Sequence, residues 1–333
     1  MKRFMMKKIA ACCAFALLAG MALAGCSGKK AADGAEKVRI VLDWTPNTNH
    51  TGIYIAQDKG WFAEEGIDAE ILMPPEDGAI LLLASGRAEF AVDFQESMGP
   101  AIAQKEGALP VTAVAAIISH NTSGPMSLAS AGIRRPRDLE GRRFASWGTP
   151  LVTAVIKDIV EGDGGDFSKV TMVPNMATDA FSALETDVDS IWIYYAWDGV
   201  AAEVRGTAID YLDLGTINPA LDFYTPVIVT NTGWAAANPE TAKKFMKALS
   251  RGYDFAIANP QEAAEILLKY VPELDAELVR QSQNYLAGRY RDGEAQWGRI
   301  DGARWGAFYR WMYERGLLET DIGEGGFTNG YLP

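Results

Sequence analysis

The sequence predicts a two-lobed α/β protein in which two mostly parallel sheets, each covered by helices, are joined by two extended crossings. Three observations predict it. Strand, loop and helix alternate from Val38 to Phe94 in the order that lays parallel strands side by side. The alternation restarts after Gly124-Pro125. Extended stretches near residues 123–130 and 224–231 carry the chain out to a second unit and back, which is the connectivity of a clamp. With 333 residues, 48% hydrophobic and 22% charged, the chain can fill two cores.

Each element has a local reason. Val38–Leu42 reads as the first strand, ending in Asp43-Trp44 and a polar turn from Thr45 to His50. A helix through Tyr54 and Ala56 closes at Gly60. Ala69–Met73 is a second strand, and Pro74-Pro75 forces a turn. Asp77 is placed to cap a short helix from Ala79 to Ser85, with Gly86 at its carboxyl end. Glu89–Phe94 is the third strand. In the second unit Pro136 and Gly141 punctuate the entry to a strand at Arg143–Ser146. Thr149 followed by Pro150 is a cap and a first-turn proline, opening a helix to Val160. Lys169–Val173 and Ser190–Tyr195 are further strands, and Asn238-Pro239 and Asn259-Pro260 repeat the helix-start signal. Asp301–Arg315, with Trp305, Phe308 and Trp311 on one face, is a last amphipathic helix ended by Gly316. The lobes are thus expected at 37–127 with 228–333, and at 128–227.

The amino end reads as an export leader over residues 1–25. Lys2, Arg3, Lys7 and Lys8 precede an apolar run of 17 residues, Ile9 to Gly25, shorter than the ~20 of a spanning helix. Leu23-Ala24-Gly25-Cys26 resembles the bacterial lipoprotein box, which implies cleavage before Cys26 and its acylation. Residues 26–36 are then a flexible tether holding an exported protein at the outer face of the cell membrane. The leader holds four of the 31 basic residues and none of the 43 acidic ones, so its loss deepens the net charge from −12 to −16. So acidic a body offers no basic stripe for nucleic acid. All three cysteines, Cys12, Cys13 and Cys26, lie at this end, so the body has no disulfide, thiolate metal site or cysteine nucleophile. Two histidines, His50 and His120, leave little for a histidine metal centre. No heptad or exposed edge asks for a partner copy, and a monomer is expected.

Three clusters fall at strand ends facing the expected cleft. Asp43, Trp44, Asn47, Asn49 and His50, followed by Tyr54, combine donors, acceptors and a stacking face, as a flat nitrogen heterocycle requires. The competing reading has the asparagines shaping the turn, Trp44 filling core and His50 bonding within the turn. Gln95 and Glu96 can reach the cleft, or the segment can simply cap a helix through Ser97. Tyr194, Tyr195, Trp197 and Asp198 follow a strand. Alternation puts Trp192 and Tyr194 on one face and Ile193 and Tyr195 on the other, which favours Tyr194 and Trp197 for the ligand. Trp147-Gly148-Thr149-Pro150 is a weaker fourth element, a helix start whose amides can receive a carbonyl or anion. No pair of carboxylates or histidines at a characteristic spacing demands catalysis.

Several stretches resemble a known family. Thr51-Gly52-Ile53-Tyr54-Ile55-Ala56 and Lys59-Gly60-Trp61-Phe62-Ala63-Glu64-Glu65-Gly66-Ile67 are similar to the opening of ABC-importer solute-binding proteins of the thiamine-pyrimidine type. Asp43-Trp44-Thr45-Pro46-Asn47-Thr48-Asn49-His50 looks like the subgroup that captures a formylated aminopyrimidine. Pro74-Pro75-Glu76-Asp77-Gly78-Ala79, Ile193-Tyr194-Tyr195-Ala196-Trp197-Asp198-Gly199 and Phe327-Thr328-Asn329-Gly330-Tyr331-Leu332-Pro333 fit the same pattern, so the likeness runs from about Val38 to Pro333. It implies the type II periplasmic-binding clamp, no cofactor, an aminopyrimidine of formylaminopyrimidine or hydroxymethylpyrimidine type as ligand, and an ABC permease as partner. The sequence departs from the pattern at Asp198, where the resemblance leads one to expect the longer glutamate. Thiamine-pyrimidine synthases share the fold and use pyridoxal phosphate, which keeps an enzyme as the alternative. Those proteins are cytosolic and carry a cysteine-rich motif, unlike this chain. A flavin or another aromatic, or a sulfonate, is the remaining alternative ligand. A sulfonate site would want arginines at helix starts, and the clusters contain none.

Overall fold

The computed structural model describes residues 34–76, 78–174 and 179–333. The leader, Cys26, most of the tether and Asp77 lie outside them; the cap position of the helix Ala79–Ala84 is Gly78.

Ten strands form two five-stranded sheets. The first sheet has the order β2-β1-β3-β10-β4, where β1 is Glu36–Val41, β2 Ile67–Leu72, β3 Phe90–Asp93, β4 Val111–Ala116 and β10 Val227–Asn231. β1 runs parallel to both neighbours and β10 antiparallel to both of its own. The second sheet, β7-β6-β8-β5-β9, repeats the plan with β5 Ser123–Leu128, β6 Arg143–Ser146, β7 Thr171–Pro174, β8 Ser190–Tyr194 and β9 Ile209–Tyr211. Here β5 is the antiparallel insert, between β8 and β9. The stretches at 123–128 and 227–231, expected as parts of the crossings, are paired strands. The chain passes between sheets at 117–122 and 212–226.

Strand alternation sorts the first core. Val38, Ile40 and Leu42 share one cluster with Phe90, Val92 and Ile228, while Val41, Ala91, Val227 and Val229 point to the opposite cluster. On the first face the Phe90 ring stacks on Phe245 of the helix Pro239–Ala258 at 4.2 Å, and Phe245 stacks on Phe62 at 4.9 Å. Each ring so buried contributes roughly 1.5–3 kcal/mol. The opposite cluster continues into the second lobe through Phe144, Val155 and Ile156. The helix Gly302–Glu314 closes this side; its cap Asp301 accepts from the Arg304 amide at 2.8 Å, and Trp305, Phe308 and Trp311 face inward. Thr149 caps the helix Pro150–Gly162 as its sequence promised, accepting from the Val152 amide at 3.3 Å. Among the described residues no helix is long and apolar enough to cross a membrane.

Candidate functional site

The carboxyl ends of β1, β3, β6 and β8 converge on a cavity of about 810 Å³ between the sheets. That is where open α/β sheets take ligands, because connecting loops there are free to diverge. Asp43 and Trp44 follow β1, Phe94 and Glu96 follow β3, Ser146 and Trp147 follow β6, and Tyr194 ends β8. Because β5 and β10 run antiparallel, their approaches at Thr122 and Thr225 reach the same end.

One wall is aromatic. Tyr194 stacks between Phe94, at 6.3 Å, and Trp147, at 6.2 Å, and Trp147 meets Trp192 at 6.1 Å. Trp147 stands up because Gly148, with φ 73°, turns the chain sharply into the capped helix. Trp147 is 43% exposed and Trp44 62%, unusual for the largest apolar side chain and a mark of an interaction surface. Indole Nε1 of Trp192 is buried without a partner.

The charge is of one sign. Asp43, Glu96 and Asp198 line the cavity, and no lysine, arginine or histidine does among the described residues. Burial pushes Asp198 up to about 6 and Glu96 up to about 8. Asp93, behind Glu96, is likewise raised to about 6 by burial, against hydrogen bonds from the Ser97 hydroxyl and the Phe94 amide. Ser97 therefore serves Asp93 and the Phe94 carbonyl, at 3.0 Å, and does not cap the helix Gln95–Ile102.

Trp197 and Asp198 sit on a π-helical turn, Tyr195–Gly199. Such turns swell the helix by one residue and re-aim its side chains. Gly199 is required there, since a Cβ would lie 2.5 Å from the Tyr195 ring. A hydroxyl chain pins the turn: Thr48 Oγ1 donates to Ser282 Oγ at 2.6 Å, and Ser282 donates to the Ala196 carbonyl. Ser282 lies on the helix Ala276–Ala287, so a late helix ties the turn after β1 to the π-helical turn after β8.

Of the residues singled out in the sequence, Asp43, Trp44, Asn47, Asn49, Glu96, Tyr194, Trp197 and Asp198 meet at the cavity. Asn47 is occupied by its own turn, accepting from the Asn49 amide at 2.9 Å and donating to the Thr45 carbonyl at 3.1 Å. Four stand off the wall. His50 is fully buried behind Asp43. Tyr54 packs on Tyr270 at 5.4 Å, in the small cluster behind Trp197. Gln95 spends its amide inside the core, donating to the Trp305 carbonyl at 3.0 Å and accepting from the Tyr224 amide at 2.8 Å. Tyr195 turns away to donate to Glu203 at 2.7 Å. Thr225 and Ser282 carried no sequence signal.

A model of the family described as NMT1/THI5 like matches residues 47–263. The chain belongs to that family. Among NMT1/THI5-like relatives, the formylaminopyrimidine-binding protein of Halalkalibacterium halodurans is 29% identical over 328 residues, covering 92% of this chain and 94% of that one. The 4-amino-5-hydroxymethyl-2-methylpyrimidine phosphate synthase THI11 of Saccharomyces cerevisiae is 26% identical over 286 residues, covering 80% and 82%. These relatives include both a binding protein and a synthase. In fold, the chain superposes on the periplasmic aliphatic sulphonate binding protein SsuA of Escherichia coli with a TM-score of 0.68 at 16% identity, over 87% of this chain and 96% of that one. The fold is the two-lobed α/β clamp of periplasmic binding proteins.

Proposed function

We propose that this protein is an exported solute-binding lipoprotein that captures a thiamine-related aminopyrimidine, of formylaminopyrimidine or hydroxymethylpyrimidine type, and hands it to an ABC importer. The observation that carries the reading is the lining of the cavity: aromatic faces with three carboxyl groups and, among the described residues, no cation. Aromatic walls sandwich a flat ring, and carboxyl groups pair with an exocyclic amino group and a basic ring nitrogen. Trp197 is assigned the ring face and Asp198 the amino group, with Trp44 and Trp147 closing over the ring from the two lobes. The relative from Halalkalibacterium halodurans, matched along nearly its whole length, supports the ligand class.

The same lining weighs against the two alternatives. A sulfonate would meet three acids and no positive group. Pyridoxal phosphate, which the synthases use, needs an amine or imidazole at its ring, and among the described residues no lysine or histidine faces this cavity.

Mass spectrometry of whatever co-purifies, followed by calorimetry with formylaminopyrimidine, an alkanesulfonate and pyridoxal phosphate, tests the assignment. Only the pyrimidine should bind, with about 8–12 kcal/mol for micromolar to nanomolar affinity. Tight sulfonate binding would reassign the ligand; an absorbance band from bound pyridoxal phosphate would reassign the protein to the enzymes. Anchoring has its own test, since Cys26→Ser should free the protein from membranes with binding intact.

A further inference from the structure

Glu96 lies on the first turn of the helix Gln95–Ile102, at the inner wall of the cavity. The Thr225 hydroxyl donates one long hydrogen bond, 3.3 Å, to its Oε1, its own backbone amide favours the charged form, and its Oε2 is buried with no partner among the described residues. The titratable groups facing it are Asp93 from β3, Asp43 beyond β1, Tyr194 at the end of β8 and Tyr309 from the helix Gly302–Glu314. None supplies a positive charge. Tyr309 already donates its hydroxyl to the Gln95 carbonyl at 3.0 Å.

An ionised carboxylate with a bare buried oxygen and only acids for neighbours is the costly state of this group, and the neutral acid the stable one. The two ends of the cavity therefore differ. Burial lifts Asp198 only to about 6, leaving it an acceptor at neutral pH, whereas it lifts Glu96 to about 8. Two carboxyl groups pushed apart in this way take opposite hydrogen-bonding roles.

We infer that Glu96 meets the ligand as a carboxylic acid, its carboxyl O–H donating a hydrogen bond to a ring nitrogen or formyl oxygen while Asp198 accepts from the amino group. This rests on the aminopyrimidine reading and deepens it. The site then selects a heterocycle with a donor on one edge and an acceptor on the other, and needs no protonated ligand.

Calorimetric titration of formylaminopyrimidine from pH 6.5 to 9.5 tests it. Affinity should hold to about pH 7.5 and then fall by about tenfold per pH unit as Glu96 ionises. Tyr194, held well above its ordinary value by burial, stays silent in this window, and Asp93 and Asp198 titrate below it. Glu96→Gln keeps an N–H donor at the same reach, so it should bind at pH 7 and lose the alkaline fall; Glu96→Ala should bind at least tenfold more weakly. Flat affinity in the parent, or parental affinity in Glu96→Ala, overturns the inference and leaves the aminopyrimidine reading standing. A second readout needs no ligand. The infrared carboxylic-acid band at pH 7.5 should vanish in Glu96→Gln; if the parent shows no such band, Glu96 is ionised and the inference fails. Absence of pyrimidine binding with that band intact would instead sink the ligand assignment.

Discussion

Nε2 of His50 lies 2.6 Å from Oδ1 of Asp43, and the Asn47 amide donates to the other ring nitrogen, Nδ1, at 3.1 Å. An imidazole accepting at Nδ1 carries its hydrogen at Nε2 and gives it to the carboxylate. His50 thus holds Asp43 at the cavity edge without touching the cavity. His50→Ala should cost about 1–3 kcal/mol of stability, since it strips a buried carboxylate of its partner. Denaturant unfolding measures that cost. Ligand affinity should fall with it, and unchanged affinity would show that the position of Asp43 is immaterial to binding.

Trp197 and Asp198 share one turn but should fail differently. Trp197→Ala is expected to lose roughly 1–3 kcal/mol of stacking at every pH. Asp198→Ala should lose about 2–4 kcal/mol by leaving the amino group unpaired. Below about pH 6 the parent should weaken toward the Asp198→Ala level, because protonation removes the acceptor. Parental affinity in Asp198→Ala would move the pairing role to Asn49.

Stability of the ligand-free protein should decline from acid toward alkali. Burial raises Asp93 and Asp198 from 3.8 to about 6 and Glu96 from 4.5 to about 8, so the native state binds more protons than the unfolded chain between those values. The contribution of these three groups, full below about pH 4, is then lost as pH climbs to 6 and again to 8. Thermal melts at low buffer enthalpy from pH 5 to 9 should show the decline, with Glu96→Gln removing its upper part. A Tm that rises over this range contradicts the burial of these groups.

Trp44 and Trp147 should leave solvent when the lobes close on ligand. They stand 62% and 43% exposed on segments from different lobes. Collisional quenching of tryptophan fluorescence should drop on binding, and small-angle scattering should show compaction of a monomer. An unchanged envelope with bound ligand would exclude closure.

The fold was legible because its signals are local. Period-2 alternation marked Val38–Leu42, and Thr149-Pro150 and Asp301 marked helix starts that the structure keeps. At the site, alternation puts Tyr194 and Tyr195 on opposite faces; Tyr194 lines the cavity, with Ile193 of the other face beside it, and Tyr195 bonds Glu203. His50 and Gln95 went unplaced because their partners, Asp43 and the Trp305 and Tyr224 backbone, are set by how a turn winds and where a distant helix docks. Alternation puts Trp192 on the face of Tyr194, but its contact with Trp147 exists only because β6 lies beside β8. The crossings were displaced by several residues, since extended chain and paired strand look alike until the antiparallel neighbours of β5 and β10 are known.

Ser282 does not itself line the cavity, yet its hydroxyl sets the Ala196 carbonyl and so the turn that aims Trp197 and Asp198. Ser282→Ala should therefore change the ratio of affinities for two related pyrimidines, measured side by side, and not only the melting temperature. Equal losses for both would make the bridge a matter of rigidity alone. With the turn governed from a helix more than 80 residues downstream, divergent descendants of one ancestor can acquire new ligand preferences through substitutions that no inspection of the cavity would reveal.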